Sequence, residues 1–360
     1  MMPCLSPSGF RIAAAAVMTG LIFFSTNVTA QIRGPVLGYV FDPVQQGLRP
    51  IWGIPGAAHL GELVEVGVRL DSLQVSPNHE YGLGLAVGKS SLLAIDLRNG
   101  PALARIREIE EVDSAAPRIV YSSQGTAVAV FRSDRDALEV LIGLPGSIRI
   151  VLEAELPFPA SELQAAALSN DGTTLLLAAT EGAASRLYAV GGEAGSRPIA
   201  LLGKVTSLLI LDSNHDGVVA DAARDEVYLL RDFTGTAQPI PLAGPSEGIS
   251  QPVSLGLSRD NRRVFVANAA SGAVTMLDFE GGAPVTTPCR CTPTVLQPLD
   301  GDSIFRLTDL SDTPLWIVDG ALSENRILFV PTDFRQRSSR TRVSQRLERG
   351  AFTVPRRVVR

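Results

Sequence analysis

The residues with the clearest potential for chemistry form one run of oxygen-bearing side chains, Asp212-Ser213-Asn214-His215-Asp216-Gly217. Asp212, Asn214 and Asp216 alternate as the ligands of a calcium loop do, and the final glycine allows the sharp turn that such a loop needs. The match to an EF-hand loop is incomplete, because Ala223 stands where the bidentate glutamate belongs. We predict a calcium site at these three residues, and the alternative is an ordinary hairpin turn.

Other metal or acid–base chemistry has less support. The three histidines, His59, His79 and His215, are scattered along the chain, which argues against a zinc site. His79 and His215 fall at the same turn of their repeat units, so they are predicted to lie on one rim. We interpret them as solvent-facing turn residues rather than as a catalytic pair.

Two cysteines lie close together in the stretch Thr287-Pro288-Cys289-Arg290-Cys291. A disulfide between partners this close would close a small, strained ring. A vicinal-type disulfide, a reduced pair and a pairing between chains are all compatible with the sequence. The third cysteine, Cys4, lies near the start of the chain, within the segment that we interpret as a signal peptide.

A repeated unit must position these residues. An apolar stretch followed by a turn recurs six times, and the last apolar residue of each is Val75, Tyr121, Leu168, Leu211, Leu257 or Leu296. The steps between them are 46, 47, 43, 46 and 39 residues. Strand-length runs rich in Val, Leu and Ala follow most of these turns and are bounded by Gly, Asn, Asp and Ser.

A period near 45 residues with about four strands per unit is typical of the blades of a β-propeller. A single four-stranded sheet cannot cover both of its faces, whereas sheets stacked around an axis cover one another. Residues 36–331 contain about 6.5 such periods. We therefore predict an all-β propeller over residues 31–331, with seven blades and with six as the alternative.

The fifth unit carries a specific resemblance. Residues 264–268 (VFVAN) and 271–278 (SGAVTMLD) resemble the YVTN-type bacterial β-propeller repeat, and Ser258-Arg259-Asp260 is similar to the Ser-Pro-Asp-Gly turn of that family. The pattern extends over residues 64–331, with close residue matches in this unit only. The resemblance implies an extracytoplasmic propeller of surface or binding type, with no shared catalytic residues.

The two ends of the ring contain strands that the repeat does not account for. Residues 36–42 and 48–53 form a strand pair without opening strands, and residues 315–318 and 326–330 follow the sixth unit. We predict that these N- and C-terminal strands pair in one shared closing blade. The two tryptophans, at positions 52 and 316, are predicted to pack there.

Residues 1–30 have the features of a secretory signal peptide. Arg11 precedes an apolar run at 12–24, and Val28 and Ala30 supply the small residues before a cleavage site. The apolar run is short for a membrane span, which needs about 20 residues; an uncleaved anchor is the alternative. We predict an exported protein, periplasmic or secreted, without a transmembrane segment after cleavage.

The C-terminal segment 332–360 is strongly basic. It contains nine arginines against Asp333 and Glu348, a charge of 9 − 2 = +7, so the rest of the chain carries −5 − 7 = −12. Such a tail suits polyanion binding. A solvated, disordered terminus is the simpler interpretation, and we do not expect nucleic acid as the partner.

These features favour a non-catalytic binding or scaffold propeller with a protein or small-molecule ligand that the sequence does not identify. The first alternative is a propeller hydrolase or lactonase with a metal in the central channel. The expected inner strands at 208–211 and 254–257 carry few side chains that could form such a site. The second alternative is polyanion binding through the arginine-rich tail.

Overall fold

The computed structural model describes residues 34–332, with gaps at 114–117, 192–194, 312 and 322–323. The predicted signal peptide (1–30) and all but the first residue of the predicted tail (332–360) lie outside the described residues. Within the described part, no helix is long and apolar enough to cross a membrane. The same part contains 27 β-strands and three one-turn 3-10 helices, at Pro101–Leu103, Ala160–Glu162 and Pro245–Glu247.

The strands form seven antiparallel sheets, which we number blades 1 to 7 in chain order. Blade 1 holds β1 (Val36–Asp42), β2 (Gly47–Ile54) and β3 (Ala57–Leu60). Blade 2 holds β4 (Leu70–Val75), β5 (Tyr81–Ala86), β6 (Ser91–Asp96) and β7 (Arg105–Asp113). Blade 3 holds β8 (Arg118–Tyr121), β9 (Ala127–Arg132), β10 (Ala137–Ile142) and β11 (Arg149–Glu155).

Blades 4 to 7 continue the same order. Blade 4 holds β12 (Leu163–Leu168), β13 (Thr174–Glu181), β14 (Ala184–Gly191) and β15 (Ser196–Leu202). Blade 5 holds β16 (Val205–Ile210), β17 (Gly217–Asp221), β18 (Glu226–Leu230) and β19 (Pro239–Ala243). Blade 6 holds β20 (Pro252–Leu257), β21 (Arg263–Asn268), β22 (Ala273–Asp278) and β23 (Val285–Pro288). Blade 7 holds β24 (Gln297–Pro298), β25 (Ile304–Arg306), β26 (Leu315–Asp319) and β27 (Arg326–Val330).

The apolar cores lie between blades. The described residues form seven buried clusters, each of which joins two consecutive blades, and one of them joins blade 7 to blade 1. The second strand of a blade is therefore covered on both faces: all six residues of β5 and of β9 are buried. Such strands are mainly apolar, although β9 ends in the buried Arg132, whereas the outer strand β11 is half-exposed or exposed along its length. The predicted seven-bladed β-propeller is confirmed.

Blade 1 has no innermost strand among the described residues. β1 pairs with β2 only, and its buried pattern matches that of the second strands of the other blades. Leu299 and His79 pack closely against β1 at Gly38, where an added Cβ would lie 2.5 Å from Leu299 Cδ2 and 3.5 Å from the His79 ring. Seven blades thus surround an inner ring of six first strands.

The prediction that both chain ends share one blade is wrong for the described strands. β1–β3 form a sheet of their own, and β26 and β27 are the third and fourth strands of blade 7. The sixth repeat unit supplies β24 and β25 as the first two strands of blade 7. β26 therefore pairs with β25, and blade 7 needs no strand from the N-terminus. The ring closes by apolar packing of blade 1 on blade 7 and by a hydrogen bond from Asp300 N to Leu37 O, at 2.7 Å.

Side chains join the inner strands to their neighbours. Among their hydrogen bonds with backbone groups are Tyr121 Oη to Gln74 O (2.9 Å), Arg118 Nη1 to Leu163 O (2.5 Å), Thr206 Oγ1 to Pro252 O (2.7 Å), Leu255 N to Ser207 Oγ (3.1 Å), Leu296 N to Ser254 Oγ (3.0 Å) and Gln297 Nε2 to Val75 O (3.1 Å). The last of these links blade 7 directly to blade 2. The inner ring therefore closes without blade 1.

Candidate functional site

Six short turns join the first strand to the second in blades 2 to 7. We call them the rim turns; they comprise residues 76–80, 122–126, 169–173, 211–216, 258–262 and 299–303. In four of them the first strand leads into a buried serine: Ser76, Ser122, Ser169 and Ser258. Each serine oxygen accepts the backbone N–H five residues later, at 2.9 to 3.3 Å. This bond fixes the turn and places the residues after the serine at one end of the ring.

Asp212 is the centre of a hydrogen-bonded hub at this end. Its Oδ1 accepts from Gln124 Nε2 at 3.2 Å and from Asn170 Nδ2 at 3.1 Å, and its Oδ2 accepts from Asn261 Nδ2 at 2.6 Å. The donors lie 88, 42 and 49 residues away in sequence, in blades 3, 4 and 6. The rim turns therefore converge, and one carboxylate of blade 5 bridges three other blades through neutral amides.

The three predicted calcium ligands have separate partners. Asp212 belongs to the hub, Asn214 donates from Nδ2 to Asp171 Oδ2 at 3.1 Å, and Asp216 Oδ1 accepts the N–H of Asp232 at 2.8 Å. Each of the three side chains is thus engaged in a hydrogen bond of its own, and the calcium site stays a prediction. Within the part of the chain that the structure covers, no group of three His, Cys, Asp or Glu residues could hold a metal ion.

A cavity of about 380 Å³ opens beside the hub, and we call it the rim cavity. Its wall comes from the rim turns of blades 2, 3, 6 and 7. Leu257, Pro298, Leu299, Ile304 and Phe305 supply apolar surface, and Asn78, Ser123, Gln124, Arg259, Asn261 and Ser303 supply polar groups. Asn261 Oδ1 is buried and has no hydrogen-bond partner. A buried amide oxygen without a partner carries a desolvation cost that a ligand donor would relieve.

The arginines at the rim are matched by carboxylates. Arg259 lies 3.4 Å from Asp300 Oδ1, and Arg263 lies 3.1 Å from Asp302 Oδ2 and also donates to Ser303 Oγ at 2.9 Å. The groups left for a ligand are therefore mainly amides and hydroxyls. These groups offer both donors and acceptors without a large net charge.

The two rim histidines have different surroundings. His215 is exposed, as predicted. His79 instead lies at the seam between blades 1, 2 and 7, where its Nε2 is 2.9 Å from Pro298 O and its ring meets Tyr39 edge-on at 6.4 Å. Burial lowers the pKa of His79 below its ordinary value, against the opposing effect of the Pro298 hydrogen bond. Repeat spacing correctly predicts that His79 lies on a rim turn. It does not predict that this turn contacts blade 7, because no first strand of blade 1 lies between them among the described residues.

One further pattern, Gly244-Pro245-Ser246-Glu247-Gly248, has the Gly-x-Ser-x-Gly form of a hydrolase nucleophile elbow. In the structure it forms the 3-10 turn between β19 and β20. The Ser246 hydroxyl donates to the carboxylate of the adjacent Glu247 at 2.8 Å, and no histidine of the described chain is hydrogen-bonded to it. The histidine that activates the serine of such an elbow is therefore not in place among the described residues.

The two cysteines after β23 form a disulfide with each other. Of the three pairings open from the sequence, the structure selects the intrachain one. Both residues are half-buried against the core between blades 6 and 7.

No protein-family model matches the sequence, and no curated protein matches it. Solved structures match in fold. A candidate 6-phosphogluconolactonase of Bacteroides fragilis gives a TM-score of 0.56 at 13% identity, over 82% of this chain and 94% of that chain. A protein of unknown function from Desulfotomaculum acetoxidans gives 0.52 at 12% identity, over 70% of this chain and 79% of that chain. Kuenenia stuttgartiensis hydrazine synthase gives 0.50 at 12% identity, over 86% and 100%. Identities this low establish the fold alone.

Proposed function

We propose that this protein is an exported, non-catalytic binding propeller whose rim cavity holds a small, neutral, polyhydroxylated ligand. The observation that carries the proposal is the convergence of amide and hydroxyl groups from blades 2, 3, 6 and 7 on one cavity, where Asn261 Oδ1 has no partner. Hydroxyl groups of a ligand both donate and accept, so they match this mixed lining. The paired arginines Arg259 and Arg263 favour a neutral ligand over an anion.

Hydrogen bonds within their own turns keep two rim carboxyls, Asp260 and Asp171, ionised. The hydrogen bond from the Ser258 hydroxyl is the main cause that holds the pKa of Asp260 below its ordinary value. The pKa of Asp171 is also lowered, because hydrogen bonds from Ser169 and Thr173 outweigh the effect of burial. A general acid needs a pKa near the working pH, so these groups serve as permanent acceptors.

Three features support export and an extracytoplasmic place of action. The first 30 residues have the pattern of a signal peptide. The fifth unit resembles the YVTN-type repeat of extracytoplasmic propellers. The Cys289–Cys291 disulfide fits an oxidising compartment.

Ligand screening by thermal unfolding tests the proposal. Monosaccharides, disaccharides and small dicarboxylates are added to the folded protein, and a sugar is expected to raise the melting temperature by mass action. Asn261→Ala should abolish the shift because it removes the unpartnered Oδ1 from the cavity wall. Asn214→Ala is the matched control: Asn214 also has a positive φ and a buried Oδ1 without a partner, and it does not line the rim cavity. A panel in which no sugar shifts the transition, or a shift that survives Asn261→Ala, would count against the rim cavity.

Two other functions follow from different residues. A metal-dependent lactonase or hydrolase remains the enzymatic alternative, and it predicts lactone turnover that a chelator abolishes.

The basic segment 332–360 favours polyanion binding as the second alternative. Deletion of 333–360 should then remove salt-dependent retention on heparin, whereas sugar binding at the rim should be unchanged.

A further inference from the structure

The Cys289–Cys291 disulfide lies beside a surface groove, away from the rim cavity. Cys291, Arg290 and Trp316 line this groove, which has a volume of about 480 Å³. Thr292, Thr308 and Asp309 provide hydroxyl and carboxylate groups along it. One sulfur-bearing residue is thus open to a molecule in the groove.

This disulfide contributes little as a structural link. Only Arg290 separates the two cysteines, so the bond ties no distant parts of the chain together. The stabilisation from a disulfide grows with the length of the loop that it closes, and here the loop is minimal. The backbone is already held, because Cys289 N donates to Gly272 O at 2.7 Å.

We propose that Cys289–Cys291 is a redox-active disulfide that oxidises dithiols of exported polypeptides. A substrate thiolate attacks Cys291 Sγ, the Cys289–Cys291 bond breaks, and Cys289 leaves as a thiolate. The second thiolate of the substrate then attacks its own mixed-disulfide sulfur and releases Cys291. Two electrons pass from the substrate to the cysteine pair, the two substrate thiol protons are released to solvent or taken up by the pair, and a low-molecular-weight disulfide of the compartment reoxidises the pair.

Arg290 suits this chemistry. Its side chain is exposed, and because Arg290 is the one residue between the two cysteines, we expect its charge to stabilise the leaving Cys289 thiolate. Pro288 and Pro293 flank the motif and restrict the backbone on both sides. The restricted segment keeps the two sulfurs close after reduction, so that they can re-form the bond.

The test uses the full chain with Cys4→Ser, which removes the third cysteine. A synthetic peptide with two cysteines is mixed with oxidised glutathione and the Cys4→Ser protein. The peptide should oxidise at least about tenfold faster than in the same mixture with the variant that also carries Cys289→Ser and Cys291→Ser. Arg290→Ala should slow the reaction, and Arg135→Ala should leave the rate unchanged. In a Trp52→Phe background, Trp316 fluorescence should rise as the adjacent disulfide is reduced.

A structural disulfide gives the opposite results. Peptide oxidation at the rate of the double serine variant would overturn the proposal. Reduction that occurs only after denaturant has unfolded the protein would do the same. Because the groove is separate from the rim, sugar binding by the double serine variant reports on the proposed function independently.

Discussion

Replacement of Tyr121 by phenylalanine tests how the inner strands hold the rim in place. The Tyr121 hydroxyl accepts Leu83 N at 3.1 Å and donates to Gln74 O at 2.9 Å. Gln74 and Leu83 face each other on β4 and β5, so the hydroxyl bridges a strand pair of blade 2 from blade 3. Burial raises the pKa of Tyr121 well above its ordinary value, which keeps the hydroxyl protonated. Tyr121 also immediately precedes the rim turn that carries Gln124.

The size of the effect follows from the two hydrogen bonds that the Tyr121 hydroxyl makes. Gln74 and Leu83 still face each other across the strand pair, and each lost hydrogen bond is worth about 0.5–1.5 kcal/mol, so we expect a loss of about 1–3 kcal/mol. Tyr188→Phe is the matched control, because the Tyr188 ring packs on Phe158 at 5.1 Å and no hydrogen bond of its hydroxyl is found among the described residues. It should cost less than about 0.5 kcal/mol.

Urea unfolding followed by far-UV circular dichroism measures the difference. With an m-value of about 3 kcal/mol/M, the midpoint for Tyr121→Phe should fall by about 0.3–1 M without a change in m. Equal midpoints for Tyr121→Phe and Tyr188→Phe would refute the bridging role. A fall in m would indicate instead that the substitution changes the denatured state or breaks two-state behaviour.

Three further outcomes can be checked in the same way. If the predicted calcium loop binds metal, EGTA lowers the melting temperature of the wild type and not that of Asp216→Asn; an unchanged wild type rejects the loop. Burial lowers the pKa of His79, so the folded state favours the neutral imidazole, and this contribution to stability is present above pH 6.5 and is lost as the pH falls. Between about pH 6.5 and 5 the wild type should therefore lose more unfolding free energy than His79→Asn. Deletion of 36–56 should abolish cooperative unfolding, since two inter-blade cores disappear, whereas deletion of 333–360 should not.

The repeat made the fold predictable, because each unit must bury both sheet faces against its neighbours and therefore keeps its length. The closure was not predictable in the same way. The residues at 297–298 and 304–306 form strands too short for a clear alternating pattern, so the sequence did not reveal that the sixth unit completes its own blade. Nor does a sequence pattern show that Leu299 and His79 pack against β1 at Gly38.

The site was predictable in part. Asp212 stood out in the sequence for its neighbours Asn214 and Asp216, yet its partners in the structure are amides from other blades. The same period that predicts the fold also aligns Gln124, Asn170 and Asn261 with Asp212, since all four follow the end of a first strand by a few residues. That alignment could have indicated a shared rim. It could not indicate which donor meets which oxygen, because this depends on the angle between blades.

The irregular closure also accounts for where the cavity lies. Within residues 34–332, seven blades supply six rim turns, because no described strand precedes β1 in blade 1. On the side of blades 4 and 5 the rim is occupied by the hub, where Asn170 and Asp212 bond to each other. On the opposite side, blades 2 and 7 meet across blade 1 through His79 and Pro298, and the rim cavity opens beside that contact. Leu299→Ala should therefore enlarge the rim cavity next to His79 and weaken ligand binding there, while the amide hub around Asp212 stays intact. Unchanged ligand binding would mean that the contact between blades 2 and 7 does not shape the site.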